Sequence, residues 1–277
     1  MKKLSGHSGC NIWLIEDHER PFVRKQSGSL TYNMRLKRQF IKQRKFSLPN
    51  IKTPAILRCG VNKGLFYFDM EFIKGVVMSQ YMNNIKVEEI EHLTSLLFHS
   101  LQIKKGKQYI GADKIFKTKI VSLEKMLDKN IVIEKALSKL KNFDFSFVPR
   151  SGCCGDLTLE NIILSPKGIY VIDLLDSFYN SWMIDVAKLL QDIHLGWAYR
   201  DSSMSPILKK NLLLVKDVMY RKILELNCGK EKLLTIYHLL LLNLVRIYPY
   251  SSEAKTIKFL DNACMICLHT IKNLEEK

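Results

Sequence analysis

Acidic residues are scarce at the start of this sequence: after Glu16, Asp17 and Glu19, none occurs until Asp69. Residues 1–70 hold fourteen Lys/Arg against those four, a local net of +10 out of +16 for the whole chain, whereas residues 201–277 hold twelve against eight. So basic an N-terminal end argues against a polycationic substrate, which would want carboxylates, and suits a nucleotide, a phosphorylated metabolite or nucleic acid. Long apolar runs are lacking too. The most apolar stretch, Leu233 to Tyr248, is broken by His238, Asn243 and Arg246, so no membrane span is expected and the stretch reads as a buried helix. Lys2 and Lys3 imitate the start of a signal peptide, but residues 4–9 supply no apolar core. Seven cysteines, an odd number, do not make a secreted disulfide framework. Repeats and low-complexity runs are absent. A soluble, cytoplasmic protein is the expectation, and 277 residues suffice for one large domain or two small lobes.

What is present divides into two parts. Residues 5–9 (Ser-Gly-His-Ser-Gly) read as a turn, followed by strands at Asn11–Ile15 and 22–25 around a polar turn at Asp17–Arg20. Met34, Leu36, Phe40, Ile41 and Phe46, spaced among six basic residues, predict an amphipathic helix over 32–46. Strands at Ile56–Cys59 and Leu65–Phe72 flank the turn at 61–64. Helical periodicity then dominates: 87–103, 113–128, 130–141, and from Trp182 to the end. It is interrupted at 151–176, where Ile162–Leu164 and Ile169–Ile172 form a hairpin across Ser165-Pro166-Lys167-Gly168. The expected fold is α+β: a small antiparallel lobe with one helix over 1–75, and a larger, mostly helical lobe with a hairpin in it over 76–277.

The sharpest constellation is Cys154-Gly155-Asp156-Leu157-Thr158-Leu159-Glu160-Asn161, followed after the hairpin by Val171-Ile172-Asp173-Leu174-Leu175-Asp176. Phosphoryl transfer asks little covalent chemistry of a protein. It needs a carboxylate to orient the acceptor hydroxyl and oxygen ligands to hold Mg²⁺ on the phosphates. Asp156 and Asn161 lie on one tight loop, and the hairpin returns Asp173 beside it. Any one loop Asp is ordinarily a turn residue or helix cap; the ordered set carries the weight.

These residues resemble the His-Gly-Asp-x-x-x-x-Asn and Ile-Asp-x-x-Asp signatures of the aminoglycoside phosphotransferase/choline kinase-like family, which has a protein-kinase-like fold. The resemblance covers about residues 4–200. It implies Asp156 as catalytic base or acceptor-orienting group and Asn161 and Asp173 as magnesium ligands. It extends to Trp182–Ala187, where Asp185 would anchor the backbone of the catalytic loop. It also places Lys25 on the α- and β-phosphates of ATP or another NTP, with Gly6, Ser8 and Gly9 as a phosphate-facing turn. The run Asp69–Gly75 looks like the inter-lobe hinge, whose backbone around Glu71 and Ile73 would pair with the adenine edge. The implied activity is an ATP- and Mg²⁺-dependent kinase acting on a hydroxyl of a small metabolite. The stretch Gly155–Asn161 resembles phosphotransferase-domain proteins found alongside surface-polysaccharide genes, so a sugar or sugar-linked acceptor is preferred.

Two departures stand out. The family's loop His is Cys154 here. The helix Glu that pairs with the nucleotide-binding lysine has no counterpart between Gln26 and Phe68; Gln39 or Gln43 could accept a hydrogen bond from Lys25 instead, as weaker neutral partners. Either the enzyme tolerates this or nucleotide binding has drifted, which keeps open a non-catalytic nucleotide-binding or regulatory module. Other features have plainer readings. Cys264-Met265-Ile266-Cys267 lacks a second pair for zinc and reads as two core thiols. Cys153 and Cys154 read as buried loop thiols. His194 and Trp197 could line an acceptor pocket or simply pack. The basic helix at 35–45 reads as a solvated face, and without interleaved aromatics it does not favour nucleic acid.

Overall fold

A computed structural model describes residues 1–4, 9–16, 20–102, 106–128 and 130–276 of the chain. Alternating side chains build its N-terminal part, up to Glu71. Strands β1 (Lys2–Leu4), β2 (Cys10–Ile15) and β3 (Phe22–Ser27) lead into helix α1 (Asn33–Lys45), a two-residue strand β4 (Ile51–Lys52), and strands β5 (Ile56–Asn62) and β6 (Leu65–Glu71). Five of the strands form an antiparallel sheet in the order β1-β2-β3-β6-β5. With side chains alternating between faces, β6 turns Phe66, Phe68 and Met70 onto Leu36 of α1 together with Leu14 and Val23. Phe40 closes this small core, its ring 5.7 Å from those of both Phe66 and Phe68.

On the opposite face of β6, buried Asp69 accepts from Arg24 Nε at 2.7 Å and from Arg58 Nε at 2.6 Å. Helix α1 differs from the expected apolar pattern. Met34 and Ile41 are exposed, while Gln39 and Gln43 are buried. The inward face is partly polar because both amides have buried partners, Lys25 Nζ and the Pro54 carbonyl.

A second, four-stranded sheet has the order β4-β9-β8-β7, from β7 (Val76–Val77) and the hairpin β8 (Ile162–Ser165) and β9 (Gly168–Val171). Its β4 pairs in parallel with β9, so Leu48 and Ile51, from the N-terminal third of the chain, pack in the larger core. At Gly75 a Cβ would collide with the Leu164 carbonyl. The chain therefore crosses from β6 to β7 in close contact with the hairpin.

The rest is helical: α2 (Met78–Tyr81), α3 (Val87–Gln102), α4 (Ala112–Glu124), α5 (Ile131–Asn142), α6 (Trp182–Ile193), α7 (Pro206–Leu224), α8 (Gly229–Val245) and α9 (Ala254–Glu276). Ser181 and Ser205 cap α6 and α7 by accepting from Met183 N and Leu208 N. By length and composition Gly229–Tyr250 could cross a membrane, but 67% of its apolar window is buried inside the fold. There α8 packs against α6, α7 and α9 as the central core helix. Cys264 and Cys267 lie buried on α9 in the same core. The fold is thus α+β, a small antiparallel lobe with one helix joined to a larger helical lobe carrying a hairpin.

Candidate active site

The loop after α5 is held by two buried carboxylates on α6. Asp185 accepts from Cys154 N at 2.6 Å and Gly155 N at 2.8 Å, and the Cys153 thiol donates to it at 3.3 Å. One turn pair further along, Asp192 accepts from Leu159 N at 2.6 Å and from Ala198 N at 3.1 Å. Burial raises both carboxyls, Asp192 to about 7, against the pull of the backbone donors. Burial also pushes the Cys153 and Cys154 thiols far above their ordinary range, which keeps them protonated and poor nucleophiles. Gly155 sits at φ +90°, and a Cβ there would lie 2.6 Å from the Leu175 carbonyl oxygen. Glycine is what lets the two loops touch.

Two backbone bonds lock those loops together: Ile172 N donates to Asn161 O at 2.9 Å, and Leu175 N to Cys154 O at 3.0 Å. Asp156, Asn161 and Asp173 are thereby gathered on one edge of the larger lobe. Asn161 turns its Nδ2 to the Asp156 carbonyl at 2.8 Å, which leaves the Oδ1 end of the amide for other use. Asp156 is itself engaged, accepting from Lys188 Nζ of α6 at 3.1 Å. Asp173 sits at φ +56°, a left-handed conformation that non-glycine residues adopt at a cost.

The small lobe contributes Lys25. Its side chain is 4% exposed, and its ammonium donates to Asp173 Oδ1 at 2.5 Å and Gln39 Oε1 at 3.0 Å. A strand lysine would ordinarily be a solvated charge; this one is buried and spans from β3 to the loop after β9. Gln39, rather than Gln43, is the amide that accepts from Lys25, and Gln39 Nε2 faces Tyr32 Oη at 3.5 Å. A second cation from α1 makes the same crossing. Lys42 Nζ donates to Leu175 O at 2.5 Å and Asn180 Oδ1 at 3.3 Å. The basic helix is therefore partly an internal clamp rather than a purely solvated face.

Glu71 N donates to Ala55 O at 2.9 Å, while Ile73, just after β6, is buried. Of the glycine-turn residues, Gly9 accepts from Gly28 N at 2.8 Å; Gly6 and Ser8 fall outside the described residues. His194 and Trp197 serve packing: His194 Nδ1 is 2.6 Å from Tyr237 Oη, and Trp197 sits edge-on to Phe259 under the Arg200 guanidinium.

Sequence reasoning missed Lys188, Lys42 and Asp192. Lys188 and Asp192 had a signal, being three and seven residues after Asp185 and so on the same face of one helix. Lys42 had none, since a lysine on a basic helix looks like its neighbours.

Among the described residues no cluster of three or more His, Cys, Asp or Glu could hold a metal ion. The fit to Mg²⁺ therefore rests on mixed oxygen donors, the Asp173 carboxylate and the Asn161 amide oxygen, which suit a hard cation sharing its shell with phosphates and water.

Comparison with solved structures finds the same fold. A thermostable mutant of an aminoglycoside phosphotransferase, in ternary complex with ADP and hygromycin B, superposes with a TM-score of 0.65 at 12% identity, over 97% of this chain and 92% of that one. An amicoumacin kinase in complex with AMP-PNP and Ca²⁺ gives 0.58 at 13% identity over 97% and 88%. Choline kinase LicA from Streptococcus pneumoniae gives 0.53 at 19% identity over 97% and 93%. No protein-family model matches the sequence, and none of the curated proteins does. The likeness is one of fold: that of the aminoglycoside phosphotransferase and choline kinase-like enzymes.

Proposed function

We propose that this chain is a small-molecule kinase that transfers the γ-phosphoryl group of ATP, or another nucleoside triphosphate, to a hydroxyl. The observation that carries the reading is the bond from the buried Lys25 Nζ to Asp173 Oδ1 at 2.5 Å. It links a cation suited to phosphates with a carboxylate suited to their metal, next to the Asp156 loop. Similar solved structures hold ADP or AMP-PNP, which supports a nucleotide at this place.

In the proposed reaction the acceptor oxygen attacks the γ-phosphorus, the bond from that phosphorus to the β–γ bridging oxygen breaks, and the nucleoside diphosphate leaves. Asp156 orients the hydroxyl and takes its proton, while Lys188, 3.1 Å away, fixes the rotamer of that carboxylate. Lys25 holds the α- and β-phosphates, steadied by Gln39. The backbone around Glu71 and Ile73 meets the adenine edge. Mg²⁺, held by Asn161 and Asp173, would neutralise charge on the phosphates. A sugar or polysaccharide precursor is the preferred acceptor, on the resemblance of Gly155–Asn161.

The test is transfer of label from γ-labelled ATP into a small-metabolite extract. A labelled product that requires Mg²⁺ and disappears in Asp156→Asn is expected. The neutral Gln39 partner favours a second reading, a nucleotide-binding module without turnover. Nucleotide binding with no labelled product from any acceptor would select that module.

A further inference from the structure

Two further cations lie on the larger lobe, one at the end of α8 and one on α4. Arg246 caps the C-terminal end of α8 and Lys119 stands on α4; both are half-buried. Phe178, five residues after Asp173, connects them. The Arg246 guanidinium lies 5.1 Å over its ring. Phe116, three residues before Lys119 on the same helix, meets that ring edge-on at 5.3 Å.

Neither cation makes an ion pair among the described residues. Arg246 donates to the neutral Asn243 Oδ1 at 3.3 Å. After desolvation, Asp156 is the largest influence on Arg246, which puts the guanidinium within the field of the proposed base. Lys119 feels desolvation and then the repulsion of Arg246 itself. Lys119 is thus dehydrated in the field of a like charge and has no ion-pair partner among the described residues, which is unfavourable for the fold alone.

Buried polar atoms without partners lie on the segments that carry Arg246 and Phe178. Asn243 is 4% exposed, and its Nδ2, on the amide that holds Arg246, makes no hydrogen bond; Ser177 Oγ, next to Phe178, makes none either. Two cations and an unsatisfied N–H donor form a place for an oxyanion.

Building on the kinase reading, we propose that the acceptor is itself anionic: its carboxylate or phosphate docks between Arg246 and Lys119, beside Phe178 and Asn243, and presents its hydroxyl to Asp156. The strong positive charge of the chain (+16) steers such a substrate. A cationic acceptor would be repelled at the same spot.

The pair can be tested without knowing the natural acceptor. With the nucleotide site filled by saturating Mg·AMP-PNP, sulfate is titrated against chloride at matched ionic strength and melting is followed. Sulfate should stabilise the wild-type protein, and Lys119→Gln should lower sulfate affinity at least fivefold while melting no lower than wild type in chloride. Arg246→Lys, which keeps a charge in case Arg246→Gln fails to fold, should retain part of the effect. Equal sulfate stabilisation in wild type and Lys119→Gln would overturn the anion site.

The acceptor class is then read with glucose, glucosamine, glucuronate and glucose 6-phosphate as competitors of sulfate. Competition by the two anionic sugars alone is expected. If glucose or glucosamine is phosphorylated in an Asp156-dependent way and Lys119→Gln leaves this unchanged, the anionic class is wrong and the kinase reading stands. If no nucleotide binds at all, the kinase reading fails, whereas the sulfate comparison still decides the pair.

Discussion

Lys25 and Asp173, 148 residues apart in sequence, meet at 2.5 Å across the two lobes, and their burial is unequal: the lysine side chain is 4% exposed and the aspartate 26%. An unequal pair should respond unequally to mutation. Asp173→Asn strands a buried ammonium and should cost about 2–3 kcal/mol of stability, whereas Lys25→Met leaves a carboxylate that water can reach and should cost roughly 1 kcal/mol or less. Chemical denaturation of both variants checks this; equal costs would mean the ammonium is not held by Asp173.

Gln39 is the neutral partner of Lys25 on α1, its Oε1 3.0 Å from Nζ. Gln39→Leu should weaken nucleotide binding about tenfold or more, the scale of one hydrogen bond to a charged group. Gln39→Glu should match or exceed wild type, because a carboxylate is the stronger partner. Fluorescent-nucleotide titration separates them. If Gln39→Glu binds less tightly than Gln39→Leu, the amide is not a substitute for the glutamate.

These two residues mark how far the sequence could be read. The placement of Asp156, Asn161 and Asp173 on adjoining loops was legible because their spacing brackets a hairpin, and the approach of Lys25 to Asp173 was legible by position. Gln39 was visible as one of two candidates; choosing it required knowing which face of α1 turns inward, and there the apolar pattern misled. Met34 and Ile41 point outward because α1 buries hydrogen-bonded amides instead. The pairing of β4 with β9 was not legible at all, since two residues carry no periodicity and parallel partners far apart in sequence leave no local signal. Arg246 was noted as a break in an apolar run; its place over Phe178 depends on how α8 packs, which long-range contacts decide.

Gly155 links the loops by having no side chain. At φ +90° with the Leu175 carbonyl 2.6 Å from a would-be Cβ, Gly155→Ala should destabilise by about 2–4 kcal/mol, combining backbone strain with a clash that backbone cannot relieve. It should also lower activity more than Gly168→Ala, whose Cβ would find nothing nearer than 3.8 Å. Thermal melts and activity of the two variants provide the comparison.

Acid should unfold the larger lobe through its buried imidazoles. Burial lowers His194 and His238 from 6.5 to about 4, so both stay neutral in the fold while the unfolded chain takes up protons below pH 6.5. Their contribution is fully present above that pH and is lost as pH falls toward 4, on the order of 1–3 kcal/mol per imidazole. Asp192, raised to about 7, acts in the opposite sense, its contribution being lost as pH rises from about 4 to 7. His238→Phe, at a site where the ring stacks on Phe143 at 3.7 Å, should therefore flatten the fall in stability between pH 6.5 and 4. An unchanged acid limb would show that His238 titrates normally in the fold.

The central claim is that Lys25, Asn161 and Asp173 together receive a metal–nucleotide complex. Calorimetric titration of AMP-PNP into the wild-type protein, with Mg²⁺ and without, beside the same titrations of Asp173→Asn, tests it most directly. Tight binding that needs Mg²⁺ in the wild type, with the Mg²⁺ enhancement lost in the variant, is the expected result. Binding that is absent, or that responds to Mg²⁺ identically in both proteins, would contradict the account.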